Sequence, residues 1–552
     1  MPSATAAFPE RGGRIAAHMP EVIIPEPAQK IPPLGEQAAR ETFNRRARRV
    51  VAFVCAAFAL YTAIAPVGRA CMLLQVTYNE GWNVYTAQAV VEHRPLFPAS
   101  PNWTVVNYPA LSFYIAAGLS NLTHDFLFTA RAISVLSTVL CSLFVGLIVR
   151  QMTVRQLMVR QLTRGNWPAL IAGLYCFALF CAGANTYVGV DDPQMFAQVF
   201  LMAGLFVYVR YRQKFWALMA TALLLTIGMN IKHILIEFPL AIFVDLLIVS
   251  RRKALQFGIM GAVLAALSVL LNIHFGGPGF IAAMLAPRTY SFEQLLDNLS
   301  SMYVPIVLAS LIAAAMAFRF RNHPLRRILS ILYVTSWLTA IAFGGGVGVT
   351  INVLFGGVLA HAMLLGLFFE DLQDDRNWPS WLRKKIHQAW AGILAAAVPL
   401  VLFSWIIIPL ADTGSWRPVK ALLEDRAAQQ RFQEETKLLA SQPGKALCES
   451  LLRCYYAHKP YVYDPFNATR LIILGKLNPQ VIASQLERQE FGAVQLERPI
   501  RVQYGNDVGK SRFAPTILRA VEQYYAPVLE NEDGVIYLPK RTYAAANAVA
   551  GK

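Results

Sequence analysis

The sequence predicts a polytopic α-helical membrane protein of about eleven spans, ending in a small soluble α/β domain. Three observations carry that expectation. Of the 552 residues 56% are hydrophobic and only 15% charged, against roughly a quarter charged in an ordinary soluble chain. Apolar runs long enough to cross a bilayer, which takes about 20 residues, recur along most of the length. Basic residues collect in alternate loops between those runs, as the positive-inside bias requires. The formal net charge of +17 is thus explained by orientation in a membrane and does not point to nucleic acid.

The elements follow in order. Residues 1–46 are rich in Pro, Ala and charge with no apolar run. They read as a disordered cytoplasmic tail, and not as a cleavable signal, because no short apolar core follows a basic start. Arg45, Arg46, Arg48 and Arg49 abut the first span, near 50–70, and place the N-terminus in the cytoplasm. Within a membrane domain of 47–411, further spans are expected near 130–150, 167–184, 194–210, 215–231, 233–250, 254–273, 302–318, 327–343, 350–369 and 388–411. Loops on the cytoplasmic side hold Arg150, Arg155, Arg160 and Arg164, then Arg210, Arg212 and Lys214, then Arg251, Arg252 and Lys253, with later clusters at Arg326, Arg327 and Lys384, Lys385. On the far side, loops 185–193 and 344–349 contain no base, and 231–233 contains only Lys232. An odd number of spans leaves residues 412–552 on that far, periplasmic side. There, helix-like stretches at 445–458, 477–489 and 515–525 alternate with strand-like runs at 461–463, 493–496 and 535–538, the pattern of an α/β domain.

Seven cysteines are scattered and no Cys-x-x-Cys occurs, so neither a zinc ribbon nor a dithiol redox motif is supported. Cys448 and Cys454 could pair in an oxidising compartment. Six residues apart in one helix, however, they would point away from each other, so the expectation is against a bond.

The residues able to carry chemistry gather on the far side. Glu80, in Tyr78-Asn79-Glu80-Gly81-Trp82, sits where membrane gives way to water. An acid in a membrane costs roughly 2.5–3.5 kcal/mol at a helix centre and less near the interface. Glu80 is therefore either a catalytic carboxylate or the solvated cap of an ordinary juxtamembrane helix. Trp82, Tyr85, Ala89 and Val90 recur at helical spacing and predict an amphipathic helix in the membrane interface. A second opens at Asn107-Tyr108-Pro109, with Pro109 suited to its first turn. Trp82, Tyr85, Asn107 and Tyr108 are the candidate groove residues of this outer loop, 78–128.

Asp191 and Asp192, before Pro193, either cap the next span or offer one carboxylate to sugar hydroxyls or to a divalent cation such as Mg or Mn. Adjacency in sequence argues against both facing one cavity. Lys232 either snorkels to water or, as an exception to the positive-inside pattern, meets a phosphate. His233 and Arg288 are lesser candidates for the same phosphate. Tyr290, and Asn352 beyond the glycine-rich 344–348, complete the candidate groove.

Taken together, Tyr78-Asn79-Glu80-Gly81, Asn107-Tyr108-Pro109-Ala110-Leu111, Arg131 early in the second span, Asp191-Asp192-Pro193 and Lys232 between the fifth and sixth spans resemble the GT-C superfamily of integral-membrane glycosyltransferases. The chain is most similar to bacterial relatives of protein O-mannosyltransferases and lipid A aminoarabinose transferases, over about residues 47–410. Ala110 stands where that pattern has a second proline, and Glu80 where it more often has Asp. The resemblance implies a polyprenyl-phosphate sugar donor among the membrane lipids, an acceptor hydroxyl on a lipid, glycan or protein, and inverting transfer at the outer face of a bacterial inner membrane. It also implies Glu80 as general base and Lys232, with Arg288 and His233, as phosphate ligands. A metal is not implied, because dependence varies within the superfamily. The rival reading is a transporter or flippase for a lipid-linked or anionic substrate. It is disfavoured because the acids sit at span ends and no internal repeat is found. A polymerase or ligase of the same architecture remains open, and a scaffold would have no use for the long aromatic first loop.

Overall fold

A computed structural model of the chain describes residues 34–99, 102–160, 166–373, 396–406, 418–503 and 512–541. Two units divide it, Met1–Arg46 and Ala47–Lys552, and the functional elements all lie in the second. Residues 1–33 of the expected tail fall outside the described residues. From Leu34 the chain is already helical, which corrects the expectation of disorder up to 46.

The apolar runs read from the sequence lie on helices. They are α1 (Leu34–Ala70), α4 (Phe126–Arg160), α5 (Trp167–Gly183), α6 (Gln194–Tyr211), α7 (Phe215–Ile231), α8 (Glu237–Val249), α9 (Arg251–Gly276), α12 (Val307–Phe320), α13 (Arg327–Gly344) and α14 (Phe355–Leu372). The run 388–411 is described only over the helix Ala396–Ile406. Among the described residues six helical segments are long and apolar enough to cross a membrane, and three shorter apolar helices accompany them. Between the long helices run α2 (Asn79–Val91), α3 (Leu111–Thr123), α10 (Phe280–Met284) and α11 (Phe292–Tyr303).

Burial sorts these helices by position. Almost every residue of α14 is buried, so it runs through the middle of the bundle. Along α9, by contrast, Leu255, Ile259, Val263, Leu267 and Leu270 are exposed, the signature of a lipid-facing helix. At the ends expected to be cytoplasmic, Arg327 pairs with Asp245 at 2.8 Å and Arg326 with Glu370, tying the basic loops to the bundle.

The C-terminal region is an α/β layer built on a four-stranded sheet of order β1-β2-β4-β3: β1 (Lys445–Cys448), β2 (Phe491–Leu496), β3 (Tyr525–Asn531) and β4 (Gly534–Pro539). β1 runs parallel to β2, and β4 pairs antiparallel with β2 and β3. Three expectations are corrected here. The stretch 445–458 is not one helix but a strand that turns at Glu449–Ser450 into the helix Leu451–Tyr456. That corner brings the Cys448 and Cys454 Cα atoms to 6.1 Å and the two form a disulfide. Residues 461–463 do not join the sheet; their rings pack on the outer loop instead, Tyr461 on Tyr85 and Tyr463 on Trp103.

The sheet domain closes over that loop. A Cβ on Gly81 would stand 2.4 Å from the Leu452 backbone nitrogen, so only glycine lets α2 approach the helix Leu451–Tyr456 this closely. As a result α2 lacks the wet face of an interfacial helix. Nine of its residues, from Glu80 to Ala87 and Ala89, are buried between bundle and domain.

Candidate functional site

A cavity of about 820 Å³ lies where one end of the bundle meets the C-terminal domain. Of the candidates read from the sequence, Asn107, Tyr108, Asp192, Lys232, His233, Arg288, Tyr290 and Asn352 line it. Glu80, Trp82, Tyr85 and Asp191 do not.

One wall is an acid–base pair. Lys232 ends α7 in extended backbone, which turns its side chain back toward the N-terminus of α6. Its Nζ donates to Asp192 Oδ1 at 3.2 Å and lies 3.8 Å from the centre of the Tyr108 ring. The lysine is 3% exposed, so it does not snorkel to water. Burial pushes its pKa below the usual lysine range, Asp192 pulls it back up, and Arg288 adds a smaller downward push. Asp192 serves as the sequence pattern foretold, its Oδ1 accepting from the Gln194 backbone N–H at 2.8 Å at the start of α6. Its Oδ2 accepts from Asn79 Nδ2 at 3.1 Å and from the Tyr108 hydroxyl at 3.5 Å.

The opposite wall is made by the loops around Arg288 and the glycine run. Tyr290 bridges Gly346 in a two-residue antiparallel contact, and Ser291 N–H donates to the Gly345 carbonyl at 2.7 Å. Arg288 extends from that ribbon and, among the described residues, donates to the Val347 carbonyl alone, at 3.4 Å. Asn352 exchanges hydrogen bonds with Gln194 and caps Thr350. The buried His233 Nδ1 and Asn107 Oδ1 have no hydrogen-bond partner among the described residues.

The residues that stay outside the cavity have other tasks. Glu80 is fully buried, and both its oxygens are taken. Oε1 accepts from Arg131 Nε at 2.7 Å and the Asp191 N–H at 3.1 Å; Oε2 accepts from an Arg131 terminal nitrogen at 2.8 Å and the Val76 N–H at 2.7 Å. Arg131 spends its remaining donors on the carbonyls of Met72 and Leu74, at 2.6 Å each, and of Arg69. This corrects the expectation that Glu80 faces an acceptor. Its carboxylate is consumed in fixing the turn between α1 and α2 to α4. Trp82 packs on Tyr108 and Phe113, and Tyr85 stacks on Tyr461 while donating to the Lys459 carbonyl at 2.7 Å. Both are packing residues and not groove residues. Asp191 accepts from Asn83 and lies outside the main cavity, which only Asp192 of the two acids lines, while a small hollow nearby is lined by both.

Sequence reasoning missed the contribution of the C-terminal domain. Phe466, Arg470, Glu497, Arg498 and Arg512 also line the cavity. Arg512 pairs with Glu497 at 2.7 Å and lies over the Tyr78 ring. Arg470 stands on the helix Pro465–Ile473, which Asp464 caps through the Phe466 and Asn467 N–H groups. No local signal distinguishes these basic residues from solvated surface charges.

Among the described residues no set of three His, Cys, Asp or Glu side chains comes together to hold a metal ion. The surroundings of Asp192 do not suit a cation either, since an ammonium, an amide N–H and a phenol hydroxyl already point at it.

No protein-family model matches the chain, and no curated protein is significantly similar to it in sequence. In three dimensions it is similar to ArnT from Cupriavidus metallidurans, both in the apo state and bound to undecaprenyl phosphate. The TM-score is 0.54 in each case, at 13% and 12% identity, over 87% and 89% of this chain and 97% of that one. The chain is thus a polytopic helical membrane protein with an ArnT-like fold, in keeping with the GT-C resemblance read from its motifs.

Proposed function

We propose that this protein transfers a sugar from a polyprenyl-phosphate carrier to an acceptor hydroxyl at the outer face of a bacterial cytoplasmic membrane. The observation that carries the proposal is the Asp192–Lys232 pair on the wall of a large cavity, opposite Arg288. The volume lies within the usual range for a small-ligand site. The likeness in fold to ArnT, one of whose structures holds undecaprenyl phosphate, supports a polyprenyl carrier. The Cys448–Cys454 disulfide supports an oxidising compartment for the C-terminal domain, hence the outer side.

In this reading Asp192, not Glu80, is the base. An acceptor hydroxyl is a weak nucleophile at neutral pH; Asp192 takes its proton as the oxygen attacks the anomeric carbon from the face opposite the phosphate. Such help is worth about 10²–10⁴-fold. Asn79 and Tyr108 hold one carboxylate oxygen, and Lys232 with the Gln194 N–H holds the other, so the carboxylate is fixed at the cavity wall. The bond from the anomeric carbon to the phosphate oxygen breaks with inversion, and its electron pair leaves on the polyprenyl phosphate. Lys232 and Arg288 meet that charge in a site shielded from bulk water, where fixed cations act most strongly. A divalent cation has no role in these steps.

The test uses purified protein in nanodiscs with a panel of radiolabelled polyprenyl-phosphate sugars and a membrane extract. One donor should be consumed with its label recovered in an acceptor, and Asp192→Asn should lose that activity. Movement of label across the bilayer without transfer would overturn the proposal in favour of a flippase.

A further inference from the structure

We infer that Arg470, supplied by the soluble C-terminal domain, is a further cation for the departing polyprenyl phosphate beside Arg288, so that this domain completes the active site. The inference rests on the sugar-transfer reading above and deepens it.

Among the basic residues around the cavity two stand out, Arg498 having an interaction of its own. Lys232 is paired with Asp192, Arg512 with Glu497 and Arg453 with Glu435. Arg288 and Arg470 have no carboxylate partner among the described residues. Arg470 donates only to neutral oxygens, the Pro287 carbonyl at 2.7 Å and Asn467 Oδ1 at 3.4 Å, and lies 5.7 Å from the Phe466 ring centre. Its bond to Pro287 places it beside Arg288, and burial together with that neighbouring charge pushes its pKa down to about 10. Two adjacent guanidiniums facing one cavity without an anion are costly unless an anion comes to them.

The arrangement is also stiff. Gly348, at φ +76°, lies so close to Phe466 that a Cβ there would stand 2.2 Å from the ring. The glycine run of the bundle and the helix bearing Arg470 are thereby locked together.

The chemistry of the step says which anion fits. The donor is a phosphodiester with one negative charge. When the anomeric carbon–oxygen bond breaks, its electron pair stays on the phosphate and the acceptor proton goes to Asp192. The product is a phosphate monoester carrying about −1.5 to −2 near neutral pH. Two unpaired arginines complement that charge better than the donor's single one, so they stabilise the leaving group more than the bound substrate.

The experiment titrates nanodisc-embedded full-length protein with undecaprenyl phosphate and, as neutral control, undecaprenol. Wild type, Arg470→Ala, Arg470→Gln and Arg288→Ala are compared, with thermal midpoints as folding control; glutamine can still donate to the Pro287 carbonyl. Wild type should prefer the phosphate. Both Arg470 variants should lose roughly tenfold to a hundredfold of phosphate affinity, keep undecaprenol binding, and lose kcat more than they raise the donor KM. Arg470→Gln binding phosphate as wild type does, while Arg288→Ala does not, would overturn the role of Arg470 alone. A wild type that treats phosphate and alcohol alike would overturn the sugar-transfer reading itself.

Discussion

Two buried acid–base pairs stand within the same outer region, and they are built for opposite ends. Glu80–Arg131 is sealed: four donors close on one carboxylate, and the guanidinium also gathers the carbonyls of the α1–α2 turn. Asp192–Lys232 stands on the cavity wall: its carboxylate also takes four donors, from Lys232, the Gln194 N–H, Asn79 and Tyr108, but it borders open space. Desolvating charges is expensive in both cases. In the first the cost is offset by saturating every acceptor, which yields a rigid anchor. In the second the acceptors are filled as well, but the pair borders a cavity that a ligand can enter, where a perturbed ion pair is a candidate for chemistry. Burial of an acid is thus no guide to catalysis; whether it borders a cavity is.

The contrast can be broken most decisively by neutralising each acid in turn. Asp192→Asn keeps the oxygen that caps α6 and should lower the transfer rate by about 10²–10⁴-fold, with a fall in thermal midpoint as well because the buried Lys232 loses its anion. Glu80→Gln leaves Arg131 buried without its anion and should cost about 3–5 kcal/mol of stability, read as a fall in thermal midpoint. The molecules that remain folded should retain activity. Adding Arg131→Met should recover part of the lost stability, since removing both charges is better tolerated than removing one. Lys232→Ala should weaken undecaprenyl phosphate binding by about 1.5–3 kcal/mol, measured by titration. The smallest effect concerns Asp191, whose carboxyl is held well above its usual range by burial and then by the charges of Glu80 and Asp192. A raised folded-state pKa means stability present below the unfolded value of about 3.9 and lost as pH rises through the folded one. Asp191→Asn should flatten that decline in a series of thermal midpoints against pH.

The helical architecture was legible because hydrophobic length and basic-loop alternation are local signals, and the runs from 50–70 to 350–369 lie on helices. Much of the site was legible too. Asp192, Lys232, Arg288, Asn107 and Tyr108 could be assigned to one side of the bundle from loop charge, and they do meet in one cavity. The role of Glu80 was not, because its meaning depends on Arg131, 51 residues away, and on two backbone N–H groups that no side-chain pattern reports. The disulfide was hidden by a strand-to-helix corner at Glu449–Ser450 that composition does not mark. Arg470 was hidden because nothing in the sequence of a soluble domain states which face it turns toward its own membrane helices.

The most direct test is a cryo-EM reconstruction of the nanodisc-embedded protein with undecaprenyl phosphate. The account predicts phosphate density inside the cavity, against Arg288 and within reach of Lys232, with Glu80 and Arg131 still bonded to each other behind the wall. Phosphate density at Arg131, with Glu80 turned into the cavity, would contradict it.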